Sequence, residues 1–270
     1  MNPATASQVK TGLFSPISTL LGILLACLAA GWCAVIPLRG DEPAPKNSAE
    51  SLFKSARTAF ETNRVSIEAA WRLGQAAFDW AEFQTHDPDR ARIAEEGIAA
   101  CKSALVNSPA SAPANYYLAL CQGQLARTKT LGALKLVVQM EASLSAAQTL
   151  DERFDHAGPD RALGLLYFEA PGWPTSIGNK TKARRHLERA VTLAPDYPDN
   201  RLSLAEALWH WHEKEGAQSQ LEALDASWES ARTRLTGPNW EASWKDWETR
   251  RRALAKHFPA DAHGKASPKK

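Results

Sequence analysis

Small and apolar residues return along this chain at one fixed internal spacing. Gly97, Cys101 and Ala104 stand at offsets 0, +4 and +7, and Pro109 follows at +12. The same offsets recur at Met140, Leu144 and Ala147, at Ala183, Leu187 and Ala190 before Pro195, and at Ala217, Leu221 and Leu224. Offsets of four and seven fall on one face of a helix. The first three copies lie 43 residues apart and the last two 34 apart. A fixed period in this range, with helical spacing inside each unit, predicts an array of stacked helical hairpins.

A second set of periodic segments supplies the other helix of each hairpin. Residues 67–83 keep a helical period in Ala70, Leu73, Ala77, Trp80 and Ala81. A turn at 84–90, with Asp87 before Pro88 as a cap, leads to a helix at 89–106. The later hairpins are predicted at 113–126 with 132–150, 159–169 with 182–193, and 199–211 with 217–232. After Gly237-Pro238, Trp240, Trp244 and Trp247 share one stripe with Leu254 and Phe258. That stripe reads as a terminal helix covering the apolar end of the array, or as a docking helix for a partner or a bilayer surface. With glycine and proline between the periodic segments and few β-branched runs, the class is all-α.

The offsets resemble the second helix of the tetratricopeptide repeat, where small residues flank a large apolar one and proline closes the unit. Leu118–Ala119 and Leu204–Ala205 match the large-small pair of that family's first helix, and Leu73–Gly74 has the same residue types. In the third unit Leu165, Leu166 and Tyr167 do that job with the frame slipped. The resemblance covers roughly residues 60 to 232. It implies antiparallel hairpins stacked as a TPR-like solenoid that binds protein and performs no chemistry. The chain departs from the family by nine extra residues in each of the longer periods.

No charged residue falls between Lys10 and Arg39, and residues 17–38 are almost wholly apolar. About 20 apolar residues span a bilayer, whereas a secretory signal needs about 7–15, so the length favours an N-terminal hydrophobic anchor helix. A cleaved signal and a lipoprotein box at Leu24-Leu25-Ala26-Cys27 stay open. Each reading places the rest of the chain in the cell envelope, on the periplasmic or extracytoplasmic side. The expected organisation is a signal or anchor at 1–38, a linker at 39–50, TPR-like hairpins at 51–236, a tryptophan-rich cap at 237–258 and a disordered basic tail at 259–270.

The net charge of +2 adds little to this picture. Three lysines lie in the tail, and no basic face suggests nucleic acid. Cys101 and Cys121 fall on neighbouring helices, and a disulfide between them requires Cα atoms within about 7 Å. No Gly-x-x-x-x-Gly-Lys-Ser/Thr, His-Glu-x-x-His, Gly-x-Ser-x-Gly or Cys-x-x-Cys occurs. His210 and His212 would project about 200° apart on a helix, a poor arrangement for sharing a metal. No catalytic residue, metal or cofactor is assigned, and the chain is read as a non-enzymatic scaffold.

Two segments stand out as partner-binding candidates. The basic insertion 127–131 and the shaped connection 170–181 extend the same link in successive hairpins, so stacking should set them on one edge. Arg127, Lys129, Trp173, Asn179 and Lys180 are the candidates there, with Tyr116 and Tyr117 as further aromatic anchors. The ordinary reading of Trp173 is a plug over helix ends. The expected partner is a protein, with the membrane met through the N-terminal segment and a homo-oligomer open. An exported, anchored array with lengthened connections also looks like the T component of tripartite ATP-independent periplasmic (TRAP) transporters, which implies association with a solute-binding protein. A small anionic ligand held near Arg127, Lys129 and Lys180 is the other alternative.

Overall fold

The computed structural model describes residues 44–129, 131–237 and 240–258. Ten helices and no strand occupy these residues. They are α1 (Ala44–Thr62), α2 (Ile67–Glu82), α3 (Asp87–Asn107), α4 (Ala112–Arg127), α5 (Ala133–Leu150), α6 (Phe154–Glu169), α7 (Lys180–Leu193), α8 (Pro198–His210), α9 (Lys214–Arg234) and α10 (Glu241–Ala255). The segment 17–38 lies outside the described residues. No helix among the described residues is long and apolar enough to cross a membrane.

Local chemistry sets most of the starts. Ser66 and Ser111 accept hydrogen bonds from the backbone N–H groups of Ala69 and Ala114 at 3.1 and 3.3 Å, satisfying donors that a first turn leaves open. Proline stands in the first turn of α3, α4 and α8, where its missing N–H costs nothing. One element was not foreseen. Helix α1 begins at Ala44, inside the segment expected to be a linker. It buries Ala49 and Phe53 against the first hairpin, and Arg57 pairs with Glu96 of α3.

Helices α2 with α3, α4 with α5, α6 with α7 and α8 with α9 form four antiparallel hairpins, and consecutive hairpins pack on each other. The first helices α2, α4, α6 and α8 touch in succession, and α10 extends that series, while the second helices share no substantial contact. Such packing makes an inner layer of first helices and an outer layer of second ones, with a concave inner face. The repeating small residues permit the close stacking. A Cβ at Gly97 would lie 2.6 Å from Cys121 Sγ and 2.8 Å from Ala77 Cβ. In the third unit the large-small pair is Leu163–Gly164, not residues 165–167, because a Cβ at Gly164 would enter Leu187 of α7. Cys101 and Cys121 are both buried free thiols, and Cys121 Sγ donates to the Gly74 carbonyl at 3.2 Å.

The nine extra residues are built in two different ways. In the second hairpin, α4 is three residues longer than α8, its turn is two residues longer, and α5 runs four residues further before Met140 than α9 does before Ala217. In the third, the surplus is mostly loop, with ten residues joining α6 to α7 against three joining α8 to α9. Finally, α10 buries Trp244, Trp247 and Leu254 against Trp228 and Ala231 of α9 and Leu202 and Ala205 of α8. The Trp244 indole donates to the Leu235 carbonyl at 2.7 Å.

Candidate partner-binding surface

The lengthened edge holds most of the candidates named from sequence, each with its own local partner. Lys129 reaches Glu95 of α3 at 3.8 Å. Lys180 pairs with Glu213 at 3.0 Å and lies 5.2 Å from the Trp211 ring, which Arg184 also covers at 5.1 Å. Asn179 caps α7, accepting from the Lys182 N–H at 2.9 Å. Its own N–H donates to the Tyr167 carbonyl, pinning the loop to the end of α6. Gly172 and Gly178 bridge the base of that loop, and the Trp173–Pro174 bond inside it is cis. Trp173 does not fold back as a plug: it is 90% exposed, as is Leu131 at 85% on the neighbouring connection. Arg127 turns inward instead, donating to both Glu82 oxygens at 3.2 Å and to Gln124 at 3.1 Å. The three cations expected to draw an anion are thus each neutralised by a separate carboxylate, and they do not converge.

Tyr116 and Tyr117 are a correction. They are only 4% and 6% exposed, so they serve the core and not a surface. Tyr117 stacks on Trp71 at 5.9 Å, and both tyrosines meet Phe154 edge-on. The Tyr116 hydroxyl donates to Asp155 at 2.8 Å, and burial pushes the phenol well above its ordinary range. Helix α4 is the central element of the array, so its aromatics were enclosed on every side.

That contact opens onto a buried polar junction between the second, third and fourth hairpins. Asp155, His156 and Ala157 all have positive φ, at 50°, 55° and 63°, a left-handed run that non-glycine residues avoid. Arg161 holds it, donating to the Asp155 carboxylate and pairing with Asp199, both at 3.1 Å. Asn200 receives a donation from Arg161 at 2.9 Å and itself donates to the carbonyls of His156, Ala190 and Ala194. His156 stacks on Tyr197 at 4.3 Å. From α10, Arg250 completes the network by binding Asp199, Glu206 and Asp246. These charges are buried or half-buried and paired, the condition under which such groups are tolerated.

On the inner layer, Asp79, Gln124 and Glu169 occupy one register, each six residues after the large member of the pairs Leu73–Gly74, Leu118–Ala119 and Leu163–Gly164. Gln124 is fully buried and donates to Glu82. Asp79 and Glu169 make no hydrogen bond or ion pair among the described residues. Asp79 is exposed, and desolvation by the protein around it, followed by repulsion from Asp155 and Glu82, pushes its carboxyl up to about 7. Glu169 is pushed up to about 8 by burial, which outweighs the pull of Arg127 and Arg250. Its Oε1 is buried without a partner. Among the described residues no three His, Cys, Asp or Glu gather as metal ligands.

A solved structure shares this architecture. The thermophilic TPR protein TTC0263 of Thermus thermophilus superposes with a TM-score of 0.55 at 16% identity, covering 78% of this chain and 97% of its own. The chain has a TPR-like fold. MamA covers 72% of this chain and 98% of its own at 16% identity, with a TM-score of 0.47. The family described as RMD1-3, regulator of microtubule dynamics protein 1-3, matches residues 40–152, which hold α1 to α5. No curated protein matches the chain. None of these similarities is to a TRAP T component, and that resemblance gains nothing from them.

Sequence reading missed Asp79, Glu169 and the Asp155–Arg161–Asp199–Arg250 network. The shared register of Asp79, Gln124 and Glu169 was present as a 45-residue spacing, the same as that of Leu73, Leu118 and Leu163. The network had no such signal, since its members come from three separate helices.

Proposed function

We propose that the chain is a non-enzymatic scaffold that binds a partner protein on the concave face of its hairpin array. One observation supports this most: the first helices form a continuous inner layer whose register carries carboxyl groups without partners among the described residues. A stacked array presents such a face as an extended surface suited to another chain. The apolar stretch 17–38 supports tethering to a membrane, with the helical domain in the envelope space beyond it. The edge bearing Trp173, Asn179, Lys180 and Lys129 is proposed as a second contact region, with the exposed indole as its anchor. Because the regulator of microtubule dynamics family matches the first two hairpins, polymerised tubulin belongs among the partners tested.

Affinity capture of the full-length tagged chain from gently solubilised membranes, with mass spectrometry of what co-purifies, tests the reading. A stoichiometric protein retained by the wild type and lost on loop deletion of residues 171–178 places the contact on the edge. One retained by the loop deletion but lost on charge reversal of the inner layer places it on the concave face. Failure of any protein to co-purify under crosslinking conditions sinks the scaffold reading.

A further inference from the structure

The inner face is acidic in a specific way. The arginines that reach it are already committed: Arg127 to Glu82, Arg161 to Asp155 and Asp199, and Arg250 to Asp199, Glu206 and Asp246. Among the described residues, neither Asp79 nor Glu169 makes an ion pair or a hydrogen bond, although the charges of Arg127 and Arg250 act on Glu169. They are not scattered, because they hold the same register on α2 and α6, either side of Gln124 on α4. Gln124 is engaged elsewhere: its amide donates to Glu82 and its carbonyl accepts from Arg127.

Glu169 makes the second, independent point. Its Oε1 is buried and has no hydrogen-bond partner, so the fold encloses a polar atom without supplying one. A buried polar group in that condition destabilises a fold. A donor from outside the hairpin array would satisfy it.

Resting on the reading of the concave face as the protein-binding surface, we infer that its occupant is a lysine- or arginine-bearing segment of a partner protein, with cationic side chains meeting Asp79 and Glu169. Cationic side chains supply N–H donors and positive charge together, and bonds of that kind are about twice as strong as neutral ones. An acidic segment would bring like charge against the Asp79 and Glu169 carboxyls, which discriminates against it.

Fluorescence anisotropy with the full-length chain in mild detergent tests this, using a labelled ten-residue peptide of alternating lysine and alanine and its glutamate counterpart. The lysine peptide is expected to bind at least about tenfold more tightly than the glutamate one, with affinity falling as salt rises. Asp79→Asn and Glu169→Gln should each weaken it at least about threefold. The control Glu229→Gln, exposed on the outer helix α9, should leave it unchanged. Both test substitutions keep the shape of a side chain that makes no ion pair or hydrogen bond, so thermal melts should show intact folds. Equal binding of the two peptides, or wild-type affinity in the Asp79→Asn/Glu169→Gln double variant, overturns the inference. Lysine-peptide binding that emerges only after deletion of residues 259–270 overturns it too, by making the chain's own basic tail the occupant. A captured partner protein that still binds the double variant would leave the scaffold function standing while removing this assignment of its chemistry.

Discussion

Burial raises the Glu169 carboxyl from the ordinary glutamate range to about 8, although Arg127 and Arg250 pull it down. The sign for stability follows directly. The folded chain keeps a proton that the unfolded chain releases above its ordinary value, so stability declines as pH rises from about 4.5 through about 8. Glu169→Gln is expected to match the wild type in urea melts near pH 4. At pH 8.5 it should exceed the wild type by on the order of 1–3 kcal/mol. A variant no more stable at the higher pH would show that the carboxyl finds a donor in solution. Sequence could not flag Glu169, because a single glutamate on a helix is ordinary until its surroundings are known. The small residues behave differently. Gly97 opens the recurring offsets, and its Cβ would meet both Cys121 Sγ and Ala77 Cβ. Because Ala77 Cβ is fixed to the backbone of α2, Gly97→Ala must push helices apart. A loss of about 2–3 kcal/mol in denaturant midpoint analysis is expected.

At the scale of elements, apolar spacing foretold the paired helices, because periodicity is written in each segment. Their junctions depended on contacts with other segments. Residues 155–157 adopt left-handed backbone although none is glycine, and the reason lies outside the segment, in Tyr116, Arg161 and Asn200. Arg161→Ala should cost about 3 kcal/mol or more, since it leaves Asp155 and Asp199 without a principal partner and releases a strained turn. Hydrogen exchange should then show faster opening at the start of α6 and α8. The ten-residue connection from α6 to α7 makes the opposite case. Its tryptophan is solvent-exposed, so Trp173→Ala should change stability by no more than about 0.5 kcal/mol. If that substitution abolishes partner capture while the melt is unchanged, the edge is a contact surface and its shape is not maintained for folding.

Across the whole molecule, the open question for any stacked array is what covers its ends. Helix α1 covers the first hairpin with Phe53, and α10 covers the last with Trp244, Trp247 and Leu254. Arg250 adds an electrostatic reason for α10 to stay, because Asp199 and Glu206 depend on it. A stop codon after Arg234 should uncover Trp228 and leave those carboxylates short of a cation. The expected result is a melting temperature lowered by several degrees and self-association on size-exclusion chromatography. An unchanged melt and a monodisperse peak would show that α10 is not needed as a cover.

The all-helical class, the pairing of helices into hairpins and the small residues that let them stack were legible from the chain, because each is a short-range spacing written on one or two segments. Sequence reading misplaced Tyr116 and Tyr117, passed over α1, and had no means of finding Asp79 and Glu169 as unpartnered acids. Those properties were decided by the tertiary structure alone. Whether a side chain is enclosed, paired or left facing a groove depends on residues dozens of positions away, brought together only when the hairpins stack.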